Sequence, residues 1–235
     1  MNQSTHKQAT NSMRVPVALS PSHAHLTSDV IQQLFCDNYR LHEASRVGLT
    51  QFAALESVSL IGPNGQTIDV PVIGPARKTD EVQLSQSDAL KLGIDAPICT
   101  PGDHEDTPGI LIKGPRTQVT LELGVIRALP HIHMGPEDAE RLGVADRDRI
   151  EVISEPDPQR ILFRNVPVLV SVDYRLELHL DADEGKAAGL ASGDCVRLRQ
   201  ADAMRARSGK RQVIEKQAAA KSFSDCGDQR TFQSI

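Results

Sequence analysis

Two pairs of histidines are the residues in this sequence whose type and spacing could most readily do chemistry. The segment PHIHMGPED contains His131 and His133, and the segment SHAHLTSD contains His23 and His25. Residues i and i+2 of an extended chain point to the same face, so each pair offers two imidazoles side by side. Neutral imidazole is a common zinc ligand, and a catalytic zinc keeps three protein ligands and one open position. The two pairs therefore predict neighbouring metal sites.

A fifth histidine, His179, could complete such sites. It lies in RLELHLD (175–181), where Leu176, Leu178 and Leu180 alternate with polar residues, as in a strand with one buried face. Five histidines and one side-chain oxygen would serve two zinc ions with three protein ligands each. For either pair alone, a chance arrangement on a solvated strand is the alternative. The matching residues that follow both pairs favour the metal interpretation.

One arginine has a position suited to anion recognition. Arg77 follows the Gly74-Pro75 turn that ends an apolar segment. A guanidinium can bind phosphate or carboxylate through two parallel hydrogen bonds, although a surface arginine would give the same pattern. The nearby sequence Gly-Pro-Asn-Gly (62–65) lacks the Lys-Ser/Thr of a phosphate loop and is interpreted as a hairpin turn.

The segments that must position these residues are short. Many brief apolar strands separated by Gly/Pro turns predict a mainly β, barrel-like fold with two related halves. Three similar segments, SDALKLGI (87–94), EDAERLGV (137–144) and DEGKAAGL (183–190), each combine an acidic first turn with a glycine suited to a left-handed helix end. They predict short helices that cap the strands.

Composition narrows the class of protein. The chain has 235 residues and a net charge of −5, so it carries no basic footprint for nucleic acid. No apolar run is long enough to span a bilayer, so no membrane association is expected. Four scattered cysteines fit free thiols in the cytoplasm better than a disulfide framework. Residues 1–13 are predicted to be a disordered leader.

The motifs also resemble a known family when they are taken in order. SPSHAHLTSD, QFAALESVSLIGPNG, VPVIGPARKTDEVQLSQSDALKLGI, GDHEDTPGI, HIHMGPEDAERLGV and LELHLDADEGKAAGL resemble the PduL-type phosphotransacylases, which are phosphate propanoyltransferases. The similarity extends from about Val15 to Arg199. It implies two small β-barrels capped by short α-helices and interwoven in sequence, followed by a C-terminal tail. Barrel one would comprise residues 14–20 and 129–200, barrel two residues 21–128, and the tail residues 201–235.

The resemblance also implies the site. A two-zinc centre would lie between the barrels, with His23 and His25 on one zinc. The other zinc would be bound by His131, His133 and His179. Matching positions assign phosphate binding to Arg77 and contacts with coenzyme A to Ser20, Ile73 and His179.

Some positions depart from the family pattern. Gln83 stands where the family has a glutamate ligand to the first zinc, and an amide oxygen is the weaker ligand. Either that zinc is held more loosely, or Glu81 or Glu56 substitutes. Pro71 and Lys186 replace an Arg and an Asn at positions that contact coenzyme A, which predicts a changed cofactor geometry.

The implied reaction is the interconversion of acyl-CoA, such as propanoyl-CoA, and phosphate with acyl phosphate and coenzyme A. A dinuclear zinc hydrolase is one alternative, and a non-catalytic, zinc-stabilised protein associated with a microcompartment is another. The family implies a location inside a bacterial microcompartment. The 201–235 tail is either a targeting helix that contacts shell or cargo proteins or a solvated extension. Assembly into a homo-oligomer is a further expectation.

Overall fold

The computed structural model describes residues 14–155 and 160–199. Its strands are β1 (Arg14–Ser20), β2 (His23–His25), β3 (Glu43–Arg46), β4 (Phe52–Ile61), β5 (Thr67–Gly74), β6 (Glu81–Gln83), β7 (Ile98–Cys99), β8 (Ile110–Lys113), β9 (Gln118–Leu121), β10 (Val125–Ala128), β11 (His131–Met134), β12 (Arg149–Ser154), β13 (Leu162–Val170), β14 (Glu177–Asp181) and β15 (Cys195–Arg199). Its helices are α1 (Ser28–Leu34), α2 (Gln86–Leu92), α3 (Pro136–Leu142) and α4 (Ala182–Ala188).

Six strands close into a barrel in the order β1-β14-β11-β13-β12-β15. Side chains alternate between its interior and its surface, as the period of two requires. In β12, for example, Ile150 and Val152 are buried while Glu151 is half-exposed. The interior is filled by aliphatic side chains such as Ile132 and Leu178, both fully buried. This core is separate from that of the second sheet.

The second sheet is a curled half-barrel with the strand order β7-β10-β6-β2-β5-β4-β8-β9, and β3 pairs with β4 at its side. Its own apolar core includes Ala24, Val72 and Val82, which are fully buried. The short β2 is central here, because it lies between β5 and β6. The first histidine pair is therefore carried by a strand that is hydrogen-bonded on both edges.

The short helices follow the repeat seen in the sequence. Helices α2, α3 and α4 end at Gly93, Gly143 and Gly189, each with a left-handed backbone that glycine adopts without steric cost. Each has an acidic residue in its first turn, where the helix dipole favours negative charge. The predicted helical caps are confirmed.

The predicted mainly β fold is also confirmed, although the second sheet is open rather than a closed ring. The barrel strands come from residues 14–20 and 131–199, and the half-barrel strands come from residues 23–128. The proposed domain boundaries remain a prediction. The 1–13 leader and the 201–235 tail lie outside the described residues, and within those residues no helix is long and apolar enough to cross a membrane.

Candidate metal centre and substrate cavity

The first histidine pair has the geometry of two ligands to one ion. His23 and His25 are buried, and their Nε2 atoms lie 3.2 Å apart. Two nitrogens at 2.0–2.1 Å from a tetrahedral zinc would be separated by about 3.3 Å. The alternation of β2 turns Ala24, between them, into the core. The strand therefore directs both imidazoles to the same side, as the spacing predicts.

The second histidine group is assembled by strand register. His131 and His133 lie on β11, and the antiparallel β14 places His179 directly opposite His131. The rings of His131 and His179 are stacked with centroids 5.1 Å apart, and those of His133 and His179 are 4.2 Å apart. One nitrogen from each of the three residues lies within 4.8 Å of the others, as ligands to a single ion must. The structure thus brings together all three histidines.

Backbone carbonyls select the tautomer of the first histidine in each pair. His23 Nδ1 lies 2.8 Å from the carbonyl oxygen of Pro21, and His131 Nδ1 lies 2.7 Å from that of Leu129. A carbonyl oxygen only accepts hydrogen bonds, so each Nδ1 must carry the proton. The lone pair is then on Nε2. This is the arrangement by which outer hydrogen bonds orient metal-binding histidines.

Burial keeps the five imidazoles neutral. It lowers the pKa of His131 to about 4 and the pKa of His179 to about 3. Burial also lowers the pKa of His23, His25 and His133, and neighbouring histidines lower the pKa of the last two further. At neutral pH all five side chains are in the form that binds a metal ion.

Both histidine groups line one cavity of about 760 Å³. The barrel contributes Tyr174 and His179 to its wall, and the half-barrel contributes His23 and Gln83. The volume falls within the range typical of small-molecule sites, about 300–1,000 Å³. Of the predicted residues, Ser20, Ile73, Gln83, Arg77 and the replaced position Pro71 all line this cavity.

Arg77 reaches the cavity wall with an unpaired donor. It is half-buried, and its Nε is a buried nitrogen without a hydrogen-bond partner in the described part of the chain. His179 Nε2 is a second such atom, since the Glu177 carboxylate is 3.8 Å away. Leaving a buried polar group unpaired costs free energy, so both atoms indicate room for a ligand.

Comparisons with known proteins show the family of the chain. The family model for phosphate propanoyltransferase matches residues 16–191. A phosphate propanoyltransferase from Thermotoga maritima is 42% identical over 181 residues, covering 77% of this chain and 86% of the relative. Those from Citrobacter koseri and Salmonella typhimurium are 41% and 39% identical, covering 77% and 80% of this chain and 86% and 90% of the relatives. The chain belongs to the phosphate propanoyltransferase family.

The side-chain nitrogens that line the cavity fit zinc. Neutral imidazoles are common ligands of zinc, and the 3.2 Å Nε2–Nε2 separation of His23 and His25 matches a tetrahedral site. His131, His133 and His179 offer three nitrogens that could hold a second ion. The buried, unpaired Nε2 of His179 is the orphaned atom that such an ion would satisfy.

Glu56, one of the two candidate substitutes for the missing glutamate, is committed elsewhere. Its carboxylate accepts hydrogen bonds from the Tyr39 hydroxyl, at 2.9 Å, and from the backbone N–H of His42, at 3.1 Å, and lies 2.6 Å from His42 Nδ1. Glu81, by contrast, lines the cavity. Of the two candidates, the structure leaves Glu81 beside the histidines.

Sequence reasoning missed two residues at this site. The side chain of His104 is only 13% exposed, and its Nε2 lies 2.7 Å from the Glu81 carboxylate. Tyr174 stacks on His133 with ring centroids 3.9 Å apart and an interplanar angle of 4°. Neither residue has a local spacing that predicts its contact, and only the tertiary fold brings them to the site.

Proposed function

We propose that this protein is a zinc-dependent phosphotransacylase, which converts a short acyl-CoA such as propanoyl-CoA and phosphate into acyl phosphate and coenzyme A, and the reverse. The observation that carries the proposal is one cavity lined by five neutral histidines and Arg77, whose Nε is buried without a hydrogen-bond partner among the described residues. The names of its relatives support the same reaction class.

Arg77 would bind and orient phosphate. A phosphate oxygen can satisfy the unpaired Nε, and the planar guanidinium suits two parallel hydrogen bonds. Binding to Arg77 also offsets part of the negative charge of phosphate. The neighbouring histidines are neutral and do not contribute to this effect. The chain thereby holds the nucleophile in place before reaction, which removes much of the entropic cost of a bimolecular step.

Coenzyme A would lie along the wall formed by Ser20, Ile73 and His179, which all line the cavity. This position brings the thioester carbonyl towards the phosphate at Arg77. Pro71 adds apolar surface beside Ile73, and it cannot pair with a coenzyme A phosphate as a guanidinium would. The coenzyme is therefore expected to contact this wall mainly through its apolar and amide groups.

The atoms of the proposed reaction balance without a covalent enzyme intermediate. A phosphate oxygen forms a bond to the thioester carbonyl carbon, the carbon–sulfur bond breaks, and the proton of hydrogen phosphate passes to the departing thiolate. Bound zinc would supply Lewis-acid stabilisation of the carbonyl oxygen and of the thiolate. His23, His25 and Gln83 would hold one ion, and His131, His133 and His179 the other.

The deciding experiment is release of free coenzyme A thiol from propanoyl-CoA, with and without phosphate and before and after removal of metal by a chelator. Thiol release that requires both phosphate and metal is the expected result. Release without phosphate would indicate the dinuclear zinc hydrolase instead. Absence of release from folded, zinc-loaded protein would leave the non-catalytic, zinc-stabilised alternative.

We also propose that the enzyme works in the cytoplasm inside a bacterial microcompartment, as the family resemblance implies. The 201–235 segment is the candidate contact with shell or cargo proteins. Fluorescent fusions of the full chain and of residues 1–200 in a bacterium that makes such compartments would test this. The full chain should form foci with the shell, and the shortened chain should be diffuse.

A further inference from the structure

The side of the cavity around His23 and His25 carries an unusual pair of polar residues. In the antiparallel pairing of β2 and β6, Gln83 lies directly opposite His23 and Glu81 lies opposite His25. Residues two apart on a strand share a face, and both Glu81 and Gln83 line the cavity. An amide and a carboxylate therefore stand beside the first histidine pair.

The Glu81 carboxylate is buried and held by three donors. Its Oε2 accepts a hydrogen bond from the Gly102 backbone N–H at 2.7 Å and lies 2.7 Å from His104 Nε2. Its Oε1 accepts a hydrogen bond from Gln83 Nε2 at 2.6 Å. With the side chain only 8% exposed, these contacts replace water as partners and fix the position of the negative charge.

This contact determines which way the Gln83 amide faces. A carboxylate accepts hydrogen bonds, so the amide group of Gln83 must present its NH₂ to Glu81. Its carbonyl oxygen is then the branch left over for another partner. An amide oxygen is an acceptor and a ligand for cations, and His23 lies directly across the strand pair.

Glu81 is less well placed to be a ligand itself. Both of its oxygens already accept hydrogen bonds. Within residues 14–155 and 160–199, the three-residue group with ligand atoms inside 4.8 Å is His131, His133 and His179, and Glu81 does not form one with His23 and His25.

We propose that Glu81 is a positioning residue for the first zinc site. It holds the Gln83 amide so that the oxygen, together with the nitrogens of His23 and His25, completes a three-ligand set. Through its contact with Gln83, it also supplies near the ion the negative charge that a neutral amide lacks. His104 and the Gly102 N–H anchor Glu81 in turn. This inference rests on the zinc site of the proposed function, and outer partners of this kind contribute about 10–100-fold to metal affinity.

The test measures zinc stoichiometry and affinity of the full-length protein by competition with a chromophoric chelator. Glu81→Gln should weaken one of the two zinc ions about 10–100-fold and leave the other unchanged. Gln83→Leu should weaken the same ion. In the Gln83→Leu background, Glu81→Gln should weaken this ion less than it does alone, because the positioning part of its effect acts through the amide and only the loss of charge remains. His104→Ala removes one hydrogen-bond partner of Glu81 and leaves Glu81 and Gln83 themselves unchanged. It should weaken the same ion more mildly.

Glu56→Gln is the matched control, since this buried glutamate binds Tyr39 and His42 and should leave both zinc affinities unchanged. An unchanged affinity in Glu81→Gln overturns the inference. So does the loss of one zinc in Glu81→Gln when Gln83→Leu keeps two, because Glu81 would then be the ligand.

Phosphate-dependent thiol release by the same preparations separates the two claims. Unaltered zinc affinity in Glu81→Gln, with normal turnover by the unmodified protein, would refute the inference alone. Weakened zinc in this variant, with no turnover by the unmodified two-zinc protein, would refute the proposed function alone.

Discussion

The backbone N–H of Arg77 donates a hydrogen bond to the carbonyl oxygen of Leu26, at 2.8 Å, and Leu26 directly follows His25. A parallel bridge between Arg77 and Thr27 continues this contact. The backbone of Arg77 is therefore fixed by hydrogen bonds to the segment that directly follows the first histidine pair. The backbone position of Arg77 relative to the first histidine pair is set by hydrogen bonds, which is the kind of support a preorganised anion site needs.

Replacement of Arg77 should damage phosphate use and spare metal binding. Arg77→Ala is expected to lower kcat/KM for phosphate by about 100-fold or more, a loss of roughly 3 kcal/mol of transition-state stabilisation, as for other preorganised electrostatic groups. The zinc content should stay at two. Steady-state kinetics with varied phosphate, together with metal analysis, checks both. Arg116→Ala is the control, because Arg116 pairs with Asp37 at the surface. An unaltered rate in Arg77→Ala would exclude the phosphate role.

Loss of one histidine from the barrel side should remove one ion only. His133→Ala is expected to reduce bound zinc from two ions to one, because two nitrogens remain where three are needed. The site at His23 and His25 lies on a different strand system and should keep its ion. Metal analysis after dialysis checks this. His42→Ala, on an exposed histidine, is the control. Two ions retained by His133→Ala would contradict the ligand assignment.

Tyr174 should support His133 through its ring rather than its hydroxyl. The near-parallel stacking at 3.9 Å restricts the imidazole, and aromatic pairs of this kind contribute about 0.5–1.5 kcal/mol. Tyr174→Ala should therefore weaken the zinc bound at His133 by about twofold to tenfold. Tyr174→Phe, which keeps the ring, should bind zinc like the original protein. Equal weakening in both variants would assign the effect to the hydroxyl. Chelator competition measures the affinities.

Glu184 should make stability fall as pH rises. Burial raises its pKa to about 7 from a usual value of 4.5, and the nearby Asp181 charge adds to this. The protonated form therefore favours the folded state, and this contribution is complete below the unfolded pKa and is lost as pH rises through the folded pKa. Glu184→Gln keeps the capping acceptor that binds Asp181 N–H at 3.1 Å.

The measurement for Glu184 compares urea unfolding of the two proteins between pH 5 and 8. The original protein should lose free energy of unfolding relative to Glu184→Gln as pH increases, and the difference should level off above the folded pKa. Other titrating groups are common to both proteins and cancel in the difference. Parallel pH profiles would show that Glu184 titrates alike in the folded and unfolded states.

Local patterns predicted the parts of the structure that depend on neighbouring residues. The i, i+2 spacing placed His23 with His25, and His131 with His133, on common faces because strand geometry alone decides this. The helix ends at Gly93, Gly143 and Gly189 were equally visible, since a left-handed backbone favours glycine.

Long-range register was beyond such patterns. His179 meets His131 only because β14 pairs with β11 in one register, and a shift by one residue would turn His179 to the opposite face. The Glu81–His104 contact joins residues 23 apart across α2 and β7, and His104 itself lies in a loop without periodicity. Burial of such a contact depends on how the loop packs, which a lone histidine among polar residues does not reveal.

The chain passes between its two strand systems through very short links. Ser20 ends β1 in the barrel and His23 begins β2 in the half-barrel, while Ala128 ends β10 and His131 begins β11. Three residue steps reach at most about 11 Å, so each link leaves little room for its two ends to move apart. A wide separation of the barrel and the half-barrel at these links is therefore not expected. We therefore expect rigid ligands shaped to this cavity to bind without a domain motion.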